Sequence, residues 1–181
     1  MFSGAVKAGA AAVLAGIVFA LAPPAHAAMP TRLVDQNGHI FTLDSLRGRP
    51  LIVTFVAATC TQACPLINAR FARAQQVFAQ EHLDARLLTI TLEPEKDTPA
   101  VMRGLAIKFG ADSKRWIVAS GRVPDVRAIV KAFGVRTGDE HTTFVYVFDR
   151  NGILREQLLA STNLEGQLAA DLRILARGGR R

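Results

Sequence analysis

Thr59-Cys60-Thr61-Gln62-Ala63-Cys64-Pro65 holds both cysteines of a 181-residue chain and sets them four positions apart. The run before it, Leu51-Ile52-Val53-Thr54-Phe55-Val56-Ala57-Ala58, is short, apolar and rich in β-branched residues, the pattern of a buried strand. After it, Pro65 suits a first helical position, and Leu66, Ile67, Ala69, Phe71, Ala74 and Phe78 fall mostly on one side of a helix running to Gln80. The spacing predicts a strand-to-helix turn with Cys64 at the helix mouth and Cys60 in the loop above. Free amide N–H groups and the positive end of the helix dipole lower a thiol pKa at such a place, which favours the thiolate that attacks disulfides or binds metal.

Two chemistries fit the pair. If the loop winds as one helical turn, the two Cα atoms lie roughly 6 Å apart, a separation a disulfide tolerates. Reduced, the same pair is a soft two-sulfur clamp that selects Cu(I) or Zn over hard cations, so a third ligand must be sought elsewhere. Against both stands a pair of inert buried thiols or a stapling disulfide, although structural cysteines rarely meet at a strand-to-helix turn.

A domain of this length buries most of its unfolded surface without a metal or a staple, which leaves the cysteines free for function. Half of the residues are hydrophobic and 20% charged, an ordinary globular composition without repeats or low-complexity tracts. The formal charge is +7, and removing Lys7 with the leader leaves 21 basic against 15 acidic residues. Apart from Arg177-Gly178-Gly179-Arg180-Arg181 the basic residues are scattered. That distribution suits anionic membranes or acidic partners, and no basic stripe or nucleic-acid motif is present.

Residues 1–27 read as an export signal, with Lys7 as n-region, Ala8 to Leu21 as apolar core and Ala25-His26-Ala27 as a small-x-small cleavage site before Ala28. The core is shorter than the roughly 20 residues that span a bilayer, and Pro23-Pro24 ends it. An uncleaved N-terminal anchor is the alternative, and no cysteine follows the core to carry a lipid. Either way a single domain, 28–181, faces a periplasmic or otherwise oxidising compartment, where a cysteine pair must be kept reduced to hold metal.

Along that domain, Arg32 to Val34 and Ile40 to Leu43 flank an Asn37-Gly38 hairpin signal. Asp44 to Gly48 reads as a short turn. A second apolar strand, Leu87 to Leu92, leads to Glu93-Pro94-Glu95-Lys96-Asp97, and Thr98 or Asp97 can cap a helix from Pro99 to Phe109. Trp116 to Ala119 reads as a strand and Val123 to Phe133 as a helix opened by Pro124. Thr142 to Phe148 and Ile153 to Leu158 flank Asn151-Gly152 as a second hairpin, and Leu164 to Ala176 closes the chain as a helix. This order predicts an α/β fold, a thioredoxin-like three-layer sandwich with an N-terminal β-hairpin extension. In open α/β sheets ligands gather beyond the carboxyl ends of the parallel strands, where Cys60 and Cys64 lie.

Of the histidines, His26 leaves with the leader, while His39 in the first hairpin and His82 in a polar helix end read as surface residues. His141 lies in Gly138-Asp139-Glu140-His141, a loop entering a hairpin strand on the edge that such a fold brings beside Cys60. Taken alone it would be a solvated loop histidine. Beside a cysteine pair it is the best candidate for a third ligand.

Cys-x-x-x-Cys-Pro after a strand, Glu93 to Pro99 after the next, Lys131-Ala132-Phe133-Gly134-Val135, and His141-Thr142-Thr143-Phe144-Val145-Tyr146 before Asp149 together resemble the Sco/SenC family of copper chaperones. The resemblance runs from about Val34 to Leu175. It implies a thioredoxin fold that binds copper, Cu(I) and also Cu(II), through Cys60, Cys64 and His141. It further implies a copper donor, and delivery to the dinuclear copper site of the copper-bearing subunit of cytochrome c oxidase or of another cuproprotein. Thiol-disulfide activity of Cys60 and Cys64 toward that site's cysteines is the enzymatic alternative. Thr61, Gln62 and Ala63 depart from the usual Cys-Pro-Asp-Val-Cys-Pro loop and remove a carboxylate, and Glu93 stands where an aspartate is usual. Thr61-Gln62-Ala63-Cys64 also matches the Thr-x-x-Cys of thiol peroxidases, but the proline expected four residues earlier is Ala57.

Overall fold

The alternation of β-branched runs with amphipathic segments folds as the sequence predicts. A computed structural model describes residues 31–135, 143–160 and 162–178. In chain order the elements are β1 (Leu33–Val34), β2 (Ile40–Phe41), a 3-10 turn (Leu43–Leu46), β3 (Leu51–Val56), α1 (Ala63–Gln80), β4 (Arg86–Thr91) and α2 (Pro99–Phe109). There follow β5 (Trp116–Gly121), α3 (Val123–Ala132), β6 (Phe144–Phe148), β7 (Leu154–Leu159) and α4 (Leu164–Gly178).

All described strands join one seven-stranded sheet in the order β2-β1-β5-β4-β3-β6-β7. The centre is parallel, β3 with β4 and β4 with β5, and the flanks are antiparallel. This is the thioredoxin-like sandwich, with the β1–β2 hairpin added along β5. Both hairpins turn on Asn-Gly, and Gly38 and Gly152 sit at φ 88° and 78°, a backbone region that side-chain-bearing residues rarely adopt.

Strand β3 shows why the central runs are apolar throughout rather than alternating. Ile52 and Val56 join Ile67, Phe71, Phe78 and Leu168 in the core beneath α1, α2 and α4. Leu51, Val53 and Phe55 join Val126, Ile129 and Tyr146 in the core beneath α3. A strand covered on both faces has no polar side to show. On the α3 side the rings of Phe55, Phe133 and Tyr146 meet edge to face, with centroids 5.0 to 6.0 Å apart.

Helix boundaries hold within a few residues, with one difference that matters. Helix α1 begins at Ala63, two residues before the Pro65 expected to open it, so Cys64 lies inside the first turn. The first turn has no intrahelical N–H acceptors, so a proline fits there as well as at the opening position. The buried face of α1 runs through Cys64, Ile67, Asn68, Phe71, Ala74, Gln75 and Phe78, which leaves the expected core residues Leu66 and Ala69 outside.

The β6–β7 turn is held by a buried carboxylate. Asp149 accepts the N–H groups of Asn151 and Ile153 at 2.8 and 3.0 Å on one oxygen and the Arg155 guanidinium on the other. Burial alone would raise its pKa, but the Ile153 amide, Arg155 and the Asn151 amide together hold it below the usual carboxylate range. A depressed carboxyl contributes stability above its unfolded pKa and loses it as pH falls through the folded value. Asp149→Ala should therefore cost about 2 kcal/mol in urea melts at neutral pH, and the deficit should vanish in strong acid. A deficit independent of pH would contradict this assignment.

Candidate functional site

Parallel pairing in register places the ends of β3 and β4 side by side, with Val56 opposite Thr91. Beyond Val56 the chain turns back on itself, the Cys60 amide bonding the Ala57 carbonyl at 3.1 Å, and then enters α1. Beyond Thr91 a tight turn, Glu93 to Asp97, leads to α2. The two loops meet above the carboxyl ends of the parallel strands, as the topology predicts.

Helix α1 has no side-chain cap at Gln62 and no acidic residue in its first turn. Its orphan amides turn instead to sulfur, with the Cys64 N–H donating to Cys60 Sγ at 3.3 Å. Both cysteines are free thiols, Cys60 half-buried and Cys64 only 3% exposed. Partial burial works against ionisation of Cys60. The Cys64 thiol and then the backbone N–H groups of Cys64, Gln62 and Ala63 outweigh it and bring the Cys60 pKa below the ordinary thiol value. Cys64 moves the opposite way. Burial, the hydrogen bond it gives to Cys60 and the negative charges of Cys60 and Asp97 push it up to about 12. This corrects the expectation from sequence, in which the cysteine at the helix mouth, Cys64, was to be the thiolate. The helix end does stabilise a thiolate, but the sulfur that faces its amides belongs to Cys60.

The turn from β4 supplies what the sequence left unassigned. Thr98, not Asp97, caps α2, its hydroxyl accepting the Val101 amide at 3.4 Å. Asp97 is turned inward and is 1% exposed. Its Oδ2 accepts the Ala58 amide at 3.0 Å and the Thr91 hydroxyl at 2.7 Å, and its carbonyl accepts the Ser120 hydroxyl of β5. One step outward, Thr59 donates its hydroxyl to Glu93 Oε2 at 2.7 Å, and Lys96 lies 3.1 Å from the other Glu93 oxygen. Glu93 thus ties the cysteine loop from outside and Asp97 from within. Below Cys64, the buried Asn68 donates to the Cys64 carbonyl at 2.9 Å, while its Oδ1 finds no hydrogen-bond partner.

Cys60, in the loop before α1, and Cys64, in its first turn, are brought together by the bond from the Cys64 amide to Cys60 Sγ. His141 lies outside the described residues, as does Thr142, and β6 is described only from Phe144 onward. Among the described residues no group of three or more His, Cys, Asp or Glu side chains is gathered for a metal. His39 and His82 are exposed, His39 beside Asp35 at 3.1 Å, as the surface reading expects.

The unequal thiols give a direct expectation. Iodoacetamide at neutral pH should modify Cys60 and leave Cys64 at least about tenfold slower by peptide mass mapping, since only the thiolate reacts. Equal labelling of the two would contradict the assignment.

The model of the SCO1/SenC family matches residues 20–177. A SCO2-like protein of Rickettsia prowazekii is 29% identical over 135 residues, which cover 68% of this chain and 64% of that protein, so the match spans less than two thirds of the relative's length. Among solved structures, ScoI of Bradyrhizobium japonicum with copper bound superposes with a TM-score of 0.68 at 22% identity, covering 80% of this chain and 96% of the other. BsSco, described as a member of the Sco family of cytochrome c oxidase assembly proteins and as carrying a disulfide switch, gives 0.72 at 19% identity over 83% of this chain and 93% of that one. At these identities the two structures speak for the fold, and the family match spans nearly all of the sequence beyond the leader. The chain belongs to the SCO1/SenC family.

Proposed function

We propose that this chain is an exported copper carrier that delivers copper to the dinuclear copper site of cytochrome c oxidase or of a similar cuproprotein. The observation that carries the reading is the thiol pair itself, one sulfur favouring the thiolate and one held in reserve, at the carboxyl ends of the parallel strands. Family membership and the copper-bound ScoI structure support it. Copper is cargo in this reading, Cu(I) first and Cu(II) as well.

Cys60 makes the first contact because its thiol ionises more readily than that of Cys64. Cys64 follows by giving up its proton as the ion enters, and His141 supplies a nitrogen that makes the site hospitable to Cu(II). Three ligands leave a position open, so an acceptor's thiolates can replace these sulfurs one at a time and no substrate bond need break. A copper donor upstream is part of the proposal. So is residence outside the cytoplasm, with residues 1–27 a cleaved signal or an uncleaved anchor and 28–181 the working domain. Among the described residues no helix is long and apolar enough to cross a membrane.

The unequal thiols favour a second reading, a thiol-disulfide reductase acting on the cysteines of the recipient. The Cys60 thiolate attacks one sulfur of a partner disulfide, the S–S bond breaks, and the other partner sulfur leaves as thiolate. Cys64 passes its proton to that thiolate and attacks Cys60, the mixed disulfide breaks, and the Cys60–Cys64 disulfide forms as the partner leaves with one thiol and one thiolate, so two electrons pass from pair to partner. A peroxidase is disfavoured, since its attacking thiol would be Cys64, the buried one with the raised pKa.

The anaerobically reduced protein should bind about one Cu(I) per chain, and Cys60→Ser, Cys64→Ser and His141→Ala should each lose it by metal analysis after desalting. Full retention in the histidine variant would remove His141 from the site. Disulfide reduction that survives His141→Ala while copper is lost would assign the two activities to overlapping but different residue sets.

A further inference from the structure

Asp97 is the most buried acidic side chain near the thiols, yet the carrier reading assigns it nothing. Its carboxylate is held by neutral donors, an amide and a hydroxyl, from the two loops that frame the site. Burying a charge among neutral donors is costly, and a merely structural turn could be closed by a smaller or apolar residue. The contacts are also specific in place. Ala58 is two residues before Cys60 and two after the last residue of β3, so its amide sits on the hinge that aims the cysteine loop. Thr91, the last residue of β4, uses the same hydroxyl to donate to Asp97 and to accept the Glu93 amide at 2.9 Å, which couples the inner tie to the outer one. The Ser120 bond to the Asp97 carbonyl anchors the residue to β5.

We propose that Asp97 is a positioning residue of the thiol pair: by accepting the Ala58 amide and the Thr91 hydroxyl it locks the Ala57–Cys60 turn in the geometry of the dithiol and so sets the balance between dithiol and disulfide. The inference rests on the reading of Cys60 and Cys64 as the working pair. It predicts that an acceptor at this position matters more than a charge. Asparagine, whose Oδ1 can accept both donors, should substitute for aspartate, whereas alanine frees the loop to close on itself.

The test is the equilibrium of metal-free protein with dithiothreitol, read by trapping dithiol and disulfide forms. For Asp97→Ala the equilibrium constant for reduction should fall about tenfold, while Asp97→Asn should stay within about threefold of the wild type. Thr91→Val, of nearly the same shape, should shift it in the same direction as Asp97→Ala, and it serves in its place if the alanine variant does not fold. Equal shifts in the asparagine and alanine variants would show that charge, not position, is at work and would overturn the proposal. So would a wild-type equilibrium in Asp97→Ala or, where that variant does not fold, in Thr91→Val. Because no metal is present, failure of the wild type to bind copper would remove the carrier reading and leave this result standing. A wild-type pair that forms no disulfide at all would overturn this proposal together with the reductase reading and leave the carrier reading, which uses the dithiol alone, standing.

Discussion

The hydrogen bond from the Cys64 amide to the Cys60 sulfur, at the mouth of α1, is the interaction on which the proposed chemistry depends. It makes a single helical turn do two opposite things. The sulfur outside the helix receives amide N–H groups and has its pKa lowered, while the sulfur inside the helix is enclosed by apolar residues and keeps its proton. A pair with equal thiols would be a symmetric clamp. In the proposed function this one has an entry sulfur and a reserve sulfur, the order of events that both metal capture and disulfide exchange require.

That turn would have no fixed aim without the sheet beneath it. The parallel register of β3 and β4 delivers two loops to one place, and the ties through Asp97 and Glu93 join them there. Cores on both faces of the sheet hold the strand ends rigid, so small polar contacts at the rim can set the loop. The chain thereby separates stability, carried by Phe71, Phe78, Val126 and their neighbours, from chemistry, carried by a few residues above the strands.

Much of this was legible in the sequence because it is local. β-branched runs, two Asn-Gly steps, a proline in the first turn of α2 and the spacing of the cysteines each carry their meaning within a few residues, and the strand and helix order follows from them. The start of α1 was misjudged because proline is compatible with more than one position of a first turn. Which thiol ionises was misjudged for a related reason: helix position is readable from sequence, but which sulfur faces the amides is a matter of three-dimensional direction. Asp97 was hidden because Glu-Lys-Asp-Thr-Pro reads as a polar turn with a choice of caps. Only the fold shows that the threonine caps and the aspartate reaches an amide 39 residues earlier. His141 is picked out twice in the sequence, by its loop beside the hairpin strand and by the family resemblance, and it lies outside the described residues.

The proposed function requires an imidazole to join two sulfurs of unequal character around one ion. X-ray absorption at the copper edge of the reduced, copper-loaded protein tests this most directly. Two sulfur scatterers and one imidazole nitrogen, with the nitrogen signal gone in His141→Ala, is the predicted result. A sulfur-only shell unchanged by that substitution would contradict it.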